Sequence, residues 1–190
     1  MAFYPEPHPV PTTLRTSKML LAMLSPGHVE LDYEALMESA DRLRTWSGTS
    51  WPADDFTIEG NLEDLTAHQR EHLERDAFTY TVLAPHGDRC LGCVYITPVA
   101  DLVDDNPHLA DWPPGSAAVD FWVRTASLEE GLDRLLLDAL VRWFDEAWEF
   151  DRVAFAVLQD NRSHRELLAE RFEILAEADV GRRGTYDLFG

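Results

Sequence analysis

From Lys18 to Leu24 the chain carries a short apolar run closed by Ser25-Pro26-Gly27, which predicts a first strand ending in a turn. The spacing then changes. Leu31, Ala35, Leu36, Leu43 and Trp46 recur at helical intervals up to Ser47-Gly48, so one helix is predicted over 31–46. After a loop rich in aromatics, Asn61 is placed to cap a second helix from Leu62 to Arg75. Period two takes over where Phe78, Tyr80 and Val82 alternate with Thr79, Thr81 and Leu83. His86-Gly87-Asp88 then turns the chain into a second strand from Cys90 to Thr97, limited by Pro98, so the two strands read as an antiparallel hairpin.

Val99 to Gly115 reads as a surface loop beside a pocket, and Ala117 to Arg124 as a strand. Ser127 is expected to open the longest helix, running to about Trp148 with Leu132, Leu135, Leu136, Ala139, Trp143 and Ala147 on its buried side. Val153 to Leu158 is almost wholly apolar, as a strand covered on both faces must be. Strand, long helix and strand therefore predict a right-handed crossover between parallel strands. A helix from Asn161 to Phe172 follows, then a hairpin of Ile174–Ala178 and Thr185–Phe189 around Gly181-Arg182-Arg183-Gly184. The expected fold is α/β of the α+β kind: a mixed, mainly antiparallel sheet with one parallel pair bridged by a long helix. Residues 18–190 form one domain in this reading, and residues 1–17, with Pro5, Pro7, Pro9 and Pro11, form an extended arm.

Charge narrows the partners. A formal net charge of −19 repels phosphate backbones and anionic membranes, so neither nucleic acid nor a membrane is expected, whereas a cationic amine would be drawn to an acidic cleft. Charges interrupt every apolar stretch, and Met1 to Thr13 lacks the basic end and apolar run of a signal peptide. Two cysteines in 190 residues are not a disulfide framework, and a cytoplasmic setting is expected.

Few motifs compete. Cys90-Leu91-Gly92-Cys93 has redox-pair spacing, but three residues apart on a regular strand puts the sulfurs on opposite faces, so both cysteines are read as core. His68-Gln69-Arg70-Glu71-His72 puts two histidines on one helix face in the inverted zinc-protease pattern. No third ligand motif accompanies it, and no metal is expected. G-x-S-x-G, Walker and G-x-G-x-x-G signatures are all missing from the sequence.

There remains the segment Val119 to Leu136, a strand delivering the chain to a helix N-terminus beside a parallel partner strand. With this order of elements, residues 18–190 resemble the GNAT superfamily of acyl-CoA-dependent N-acetyltransferases. In that family the turn after the corresponding strand reads Arg or Gln, two residues, Gly, one residue, then Gly or Ala, and its amides bind the pyrophosphate of coenzyme A. Here Gly131 matches the first glycine and Leu132 the residue after it, while Leu128 and Asp133 depart from the signature. Asn161 matches the Asn that follows the next strand in the family, and Arg171 replaces a glycine near the end of its helix. The helix position that often carries a tyrosine acid falls near Leu168. The resemblance implies acetyl-CoA as co-substrate, bound by Phe121, Val123, Leu128, Glu129, Glu130, Gly131, Leu132, Asp133, Asn161 and Ser163. It also implies a small-molecule or peptide amine as acceptor, and it leaves room for a homodimer.

A helix start offers free N–H donors and a partial positive end to such an anion. Ser127 and Glu130 also form a capping-box pattern that would satisfy those donors internally, and Glu129, Glu130 and Asp133 bring repelling charge that Arg124 and Arg134 are placed to offset. Asp120, out of phase with Val119, Phe121 and Val123, is the candidate base, and a main-chain amide around Val123 is the candidate carbonyl polariser. Tyr186 and Tyr95 are the candidate proton donors. The acceptor would meet Trp46 to Phe56 and the loop from Asp101 to Trp112, whose aromatic and acidic residues suit a cationic, partly apolar amine. A transferase and a noncatalytic binding module of the same fold both remain open.

Overall fold

The computed structural model describes residues 3–190; the first two residues of the predicted arm lie outside the described residues. Residues 3–12 carry no regular element and lead into β1 (Thr13–Arg15), then β2 (Leu20–Met23). Three helices follow, α1 (Val29–Glu38), α2 (Ala40–Ser47) and α3 (Ile58–Glu74), and then the hairpin β3 (Phe78–Leu83) and β4 (Cys90–Pro98). After a loop with two 3-10 turns come β5 (Ser116–Val123), α4 (Leu132–Ala147), β6 (Arg152–Leu158), α5 (Arg162–Ala169), β7 (Ile174–Asp179) and β8 (Thr185–Phe189). All eight strands form one sheet in the order β1-β2-β3-β4-β5-β6-β8-β7, antiparallel except for β5 and β6.

Strand alternation sorts the side chains into two cores. Val94, Ile96, Val119 and Phe121 face α4 and α5, packing with Leu136, Leu140, Trp143 and Leu168. Trp122 and Cys93 face the other way, into Ala35 and Leu36 of α1, Leu43 of α2 and Leu65 of α3. The arm is part of the first core: Tyr4 is 1% exposed and its ring meets Phe78 and Trp148 edge-on. Among the described residues no helix is long and apolar enough to cross a membrane.

Several local expectations are corrected. The helix predicted over 31–46 is two helices, because Ser39 leaves helical geometry at ψ 9° and its hydroxyl accepts from the Thr125 amide at 3.1 Å. Asn61 is not a cap. Thr57 caps α3 by accepting from Gly60 N, and Asn61 sits one turn inside, donating to the buried Asp32 carboxylate at 3.0 Å. The helix expected from Ser127 begins at Leu132, since Gly131 adopts φ 67° and interrupts any helix through it. At 16 residues α4 is one shorter than α3, and Leu135 points outward at 41% exposure.

Cys90 and Cys93 share a face rather than opposing each other. Val82 pairs with Gly92 and Leu83 with Cys90, so Leu91 is an unpaired bulge residue that inverts the alternation. Both thiols are fully buried and unpaired, and burial pushes Cys90 up to about 12, so the core reading stands although its geometric argument does not.

The C-terminus of α2 reaches β6 and the turn before β8. Gly48 ends the helix at φ 65°, where an added Cβ would lie 2.7 Å from both the Arg183 carbonyl oxygen and Leu158 Cδ1. Gly48→Ala is therefore expected to destabilise the protein by about 1–3 kcal/mol, read from urea unfolding. A loss below about 0.5 kcal/mol would show that this contact yields freely.

Candidate active site

β5 pairs with β6 only from Ser116 to Val119, where Val119 stands opposite Phe155. Beyond that point the strands part. On its other side β5 remains bonded to β4 as far as Val123 opposite Gly92, and β6 is bonded on its own far edge to β8 from Phe155 to Leu158. The segment Asp120–Val123 is thus an open half-strand. Ser39, at the break before α2, and the α2 residues Arg42, Leu43 and Trp46 lie over it, and the N-terminus of α5 supplies the opposite wall.

Two cavities meet this open strand. The first, of about 260 Å³, is lined by Phe121 and Val123 of β5, Leu128 of the turn, Asp133 of α4, Asn161, Ser163 and His164 at the start of α5, and the α2 residues just named. The second, of about 380 Å³, holds Asp120, Tyr95 and Tyr186, with Asp101, Leu102 and Arg183 at its edge. Trp46 lines both. Its indole Nε1 donates to Asp120 Oδ1 at 2.8 Å, and the Phe121 amide donates to the same oxygen at 2.8 Å.

Burial sets the chemistry of these groups. It raises the Asp120 carboxyl to about 8, even though the Trp46 and Phe121 hydrogen bonds and the Arg183 charge favour the ionised form. Tyr186 is pushed well up by burial and by the Asp120 charge, so it stays a protonated phenol, and Tyr95 is pushed up by burial and by Cys93 and Asp32. In the first cavity His164 falls to about 4 through burial and the Arg42 charge, which leaves a neutral imidazole whose ring lies 4.4 Å from that of Phe121. Its Nε2 and the Nη1 of Arg42 are both buried without a hydrogen-bond partner.

Of the site residues expected from sequence, Phe121, Val123, Leu128, Asp133, Asn161 and Ser163 come together in the first cavity, and Asp120 and Tyr186 in the second. Glu129 and Glu130 are exposed on the turn and line neither; Leu132 is buried in the core, and Gly131 precedes the first turn of α4. The capping box does not form. The Ser127 amide donates to the Arg124 carbonyl in a 3-10 turn, and the start of α4 has no side-chain cap. Neither arginine assigned to offset the acidic turn is free: Arg124 is buried in ion pairs with Glu34 and Glu38, and Arg134 pairs with Glu170. His68 bonds Glu71 and packs against Tyr95, whereas His72 is buried edge-on to Phe78 and Tyr80.

Sequence reading missed Arg42, Trp46 as a ligand of Asp120, and His164. The signal for Arg42 was present as a cation on the apolar face of a helix, at i+3 from Ser39 and one residue before Leu43.

No protein-family model matches the chain, and no curated protein does. Solved structures match over nearly its whole length. The ribosomal-protein-S5-alanine acetyltransferase of Vibrio fischeri superposes with a TM-score of 0.71 at 16% identity, over 94% of this chain and 95% of its own. RimL, a ribosomal L7/L12 alpha-N-protein acetyltransferase solved with coenzyme A, gives 0.71 at 12% identity over 93% and 96%. The microcin C7 self immunity acetyltransferase MccE, solved with acetyl-CoA and AMP, gives 0.69 at 11% identity over 92% of each chain.

Proposed function

We propose that this chain, which has the GNAT fold, transfers an acyl group from acyl-CoA to a primary amine, with the donor in the first cavity and the acceptor in the second. The observation that carries the reading is the open half-strand Asp120–Val123. It presents a half-buried, proton-accepting carboxyl on one side of Trp46 and unsatisfied polar groups suited to an extended polar ligand on the other. Acetyl-CoA, bound there, supplies an acyl carbon activated as a thioester.

This chain's residues do the rest. Asp120, ionised above about pH 8, takes a proton from the acceptor ammonium directly or through a water and leaves a neutral, nucleophilic amine. The Phe121 amide is already engaged by Asp120, so the main-chain amide of Val123, on the edge that β6 has left, is placed to hydrogen-bond the carbonyl oxygen as negative charge grows on it. The new N–C bond replaces the C–S bond. Tyr186 is held too weakly acidic to protonate a thiolate fully, so it hydrogen-bonds the leaving sulfur while the second proton shed by the nitrogen passes through water to it. Trp46, Tyr95 and Tyr186 give the acceptor an aromatic enclosure suited to an ammonium.

Leu128 and Asp133 at signature positions favour a second reading, a noncatalytic module that binds a ligand in the same cleft. Calorimetric titration with acetyl-CoA, followed by thiol release with a panel of primary amines and peptide N-termini, separates the two. Binding with turnover supports the transferase, binding with no turnover for any amine supports the module, and no binding at millimolar acetyl-CoA removes the transferase reading.

A further inference from the structure

We infer that Arg42 of α2 is the anion-binding residue of the first cavity and grips the diphosphate of the donor, a task the acidic turn at 128–133 is poorly equipped to perform. The inference rests on the proposed function and names the contact by which the same site holds its ligand.

Four observations converge on it. Arg42 lines the cavity with Nη1 buried and unpartnered, and burial lowers its hold on the proton, as expected of a guanidinium that lacks a full set of acceptors. Across the cavity His164, 8% exposed, also has its Nε2 buried and unpartnered. Two such orphans in one cavity mark a place where a ligand supplies the missing partners, because native proteins rarely leave buried polar groups unpaired. The other cations near the turn, Arg124 and Arg134, are engaged with Glu34, Glu38 and Glu170. Finally, Arg42 faces the first turn of α4, where Asp133 already acts on it electrostatically from the opposite wall.

The last point selects the anion. Asp133 offers a single charge held back on its own helix, where its Oδ1 accepts from the Arg134 amide, and it leaves Arg42 Nη1 unbonded. A diphosphate carries more charge, reaches into the cavity, and presents several oxygens to the guanidinium fork and to the amides of a helix start that has no side-chain cap. His164, kept neutral beside Arg42, is matched to an uncharged polar group further along the same ligand, such as an amide.

The test compares acetyl-CoA, phosphate-free S-acetyl-pantetheine and inorganic pyrophosphate as titrants of the wild-type protein, Arg42→Gln and Arg42→Lys. Arg42→Gln is expected to weaken acetyl-CoA and pyrophosphate by about 10- to 100-fold and to leave acetyl-pantetheine unchanged, with Arg42→Lys intermediate. It is also expected to melt no lower than wild type, since it removes an unpartnered buried donor; if Arg42→Gln fails to fold, Arg42→Lys carries the comparison through an intermediate loss confined to the phosphate-bearing titrants. Acetyl-CoA binding that is equally tight in both variants overturns the inference and leaves the transferase reading standing. Arg42-dependent pyrophosphate binding in a protein that does not bind acetyl-CoA keeps the anion site and overturns the transferase reading. Binding of neither probe by the wild-type protein overturns the inference.

Discussion

Asp120→Asn is expected to lower kcat for acyl transfer by about 10²- to 10⁴-fold while changing acetyl-CoA affinity little, because the carboxyl lies in the acceptor cavity and not in the donor cavity. In the wild-type protein activity should rise with pH through an inflection near 8, where Asp120 ionises. Trp46→Phe removes a hydrogen bond that favours the carboxylate, so it should move that inflection upward. Stability runs the other way. The Asp120 carboxyl binds its proton more tightly in the folded state, about 8 against an ordinary 3.8, so the folded protein holds more protons between those values. Stability from this group is therefore fully present below about pH 4, declines toward pH 8 and is flat above it. Asp120→Asn lacks that decline, and urea unfolding at pH 5 and pH 9 should show the variant gaining on wild type as pH rises. Undiminished kcat in Asp120→Asn would remove Asp120 as the base.

Arg124→Met is expected to destabilise the protein by about 2–4 kcal/mol in urea unfolding at pH 7. The Arg124 side chain is 4% exposed and ties the turn after β5 to α1 through Glu34 and Glu38. It donates further to the Cys90 carbonyl, while its own amide bonds the Leu91 carbonyl. Removing it leaves Glu38 without the partner that holds its carboxyl below the usual glutamate value. This stabilisation is complete above that usual value and is lost as pH falls through the lowered one. The gap between wild type and variant should therefore shrink in acid. A gap that does not change with pH would show that Arg124 acts through packing and not through charge.

Period two and period 3.6 are local properties, and where they are sustained they placed the elements correctly: the β3–β4 hairpin and the almost wholly apolar β6 lie where the pattern put them, and so does the body of α4 from Leu132 on, though not its start. Boundaries failed where one residue answers to a distant partner. Ser39 breaks a helix because Thr125, 86 positions away, donates to its hydroxyl, and Asn61 is drawn inside α3 by the buried Asp32. The bulge at Leu91 is set by how β4 registers against β3, which no single strand records, and it reversed the argument about the two cysteines.

The candidate site divides in the same way. That β5, a turn and α4 deliver Asp120, Leu128 and Asp133 to a strand end beside a parallel neighbour was legible in the residues alone, because chain order and alternation require nothing from the rest of the molecule. Packing between distant segments is what parts β5 from β6 after Val119, takes water from Asp120 so that it climbs to about 8, and brings Arg42 and His164 into one cavity with unpaired nitrogens. Desolvation and unmet hydrogen bonds depend on which atoms converge from separate elements, and here those elements are α2, β5 and α5, brought together only by packing on the two faces of the sheet.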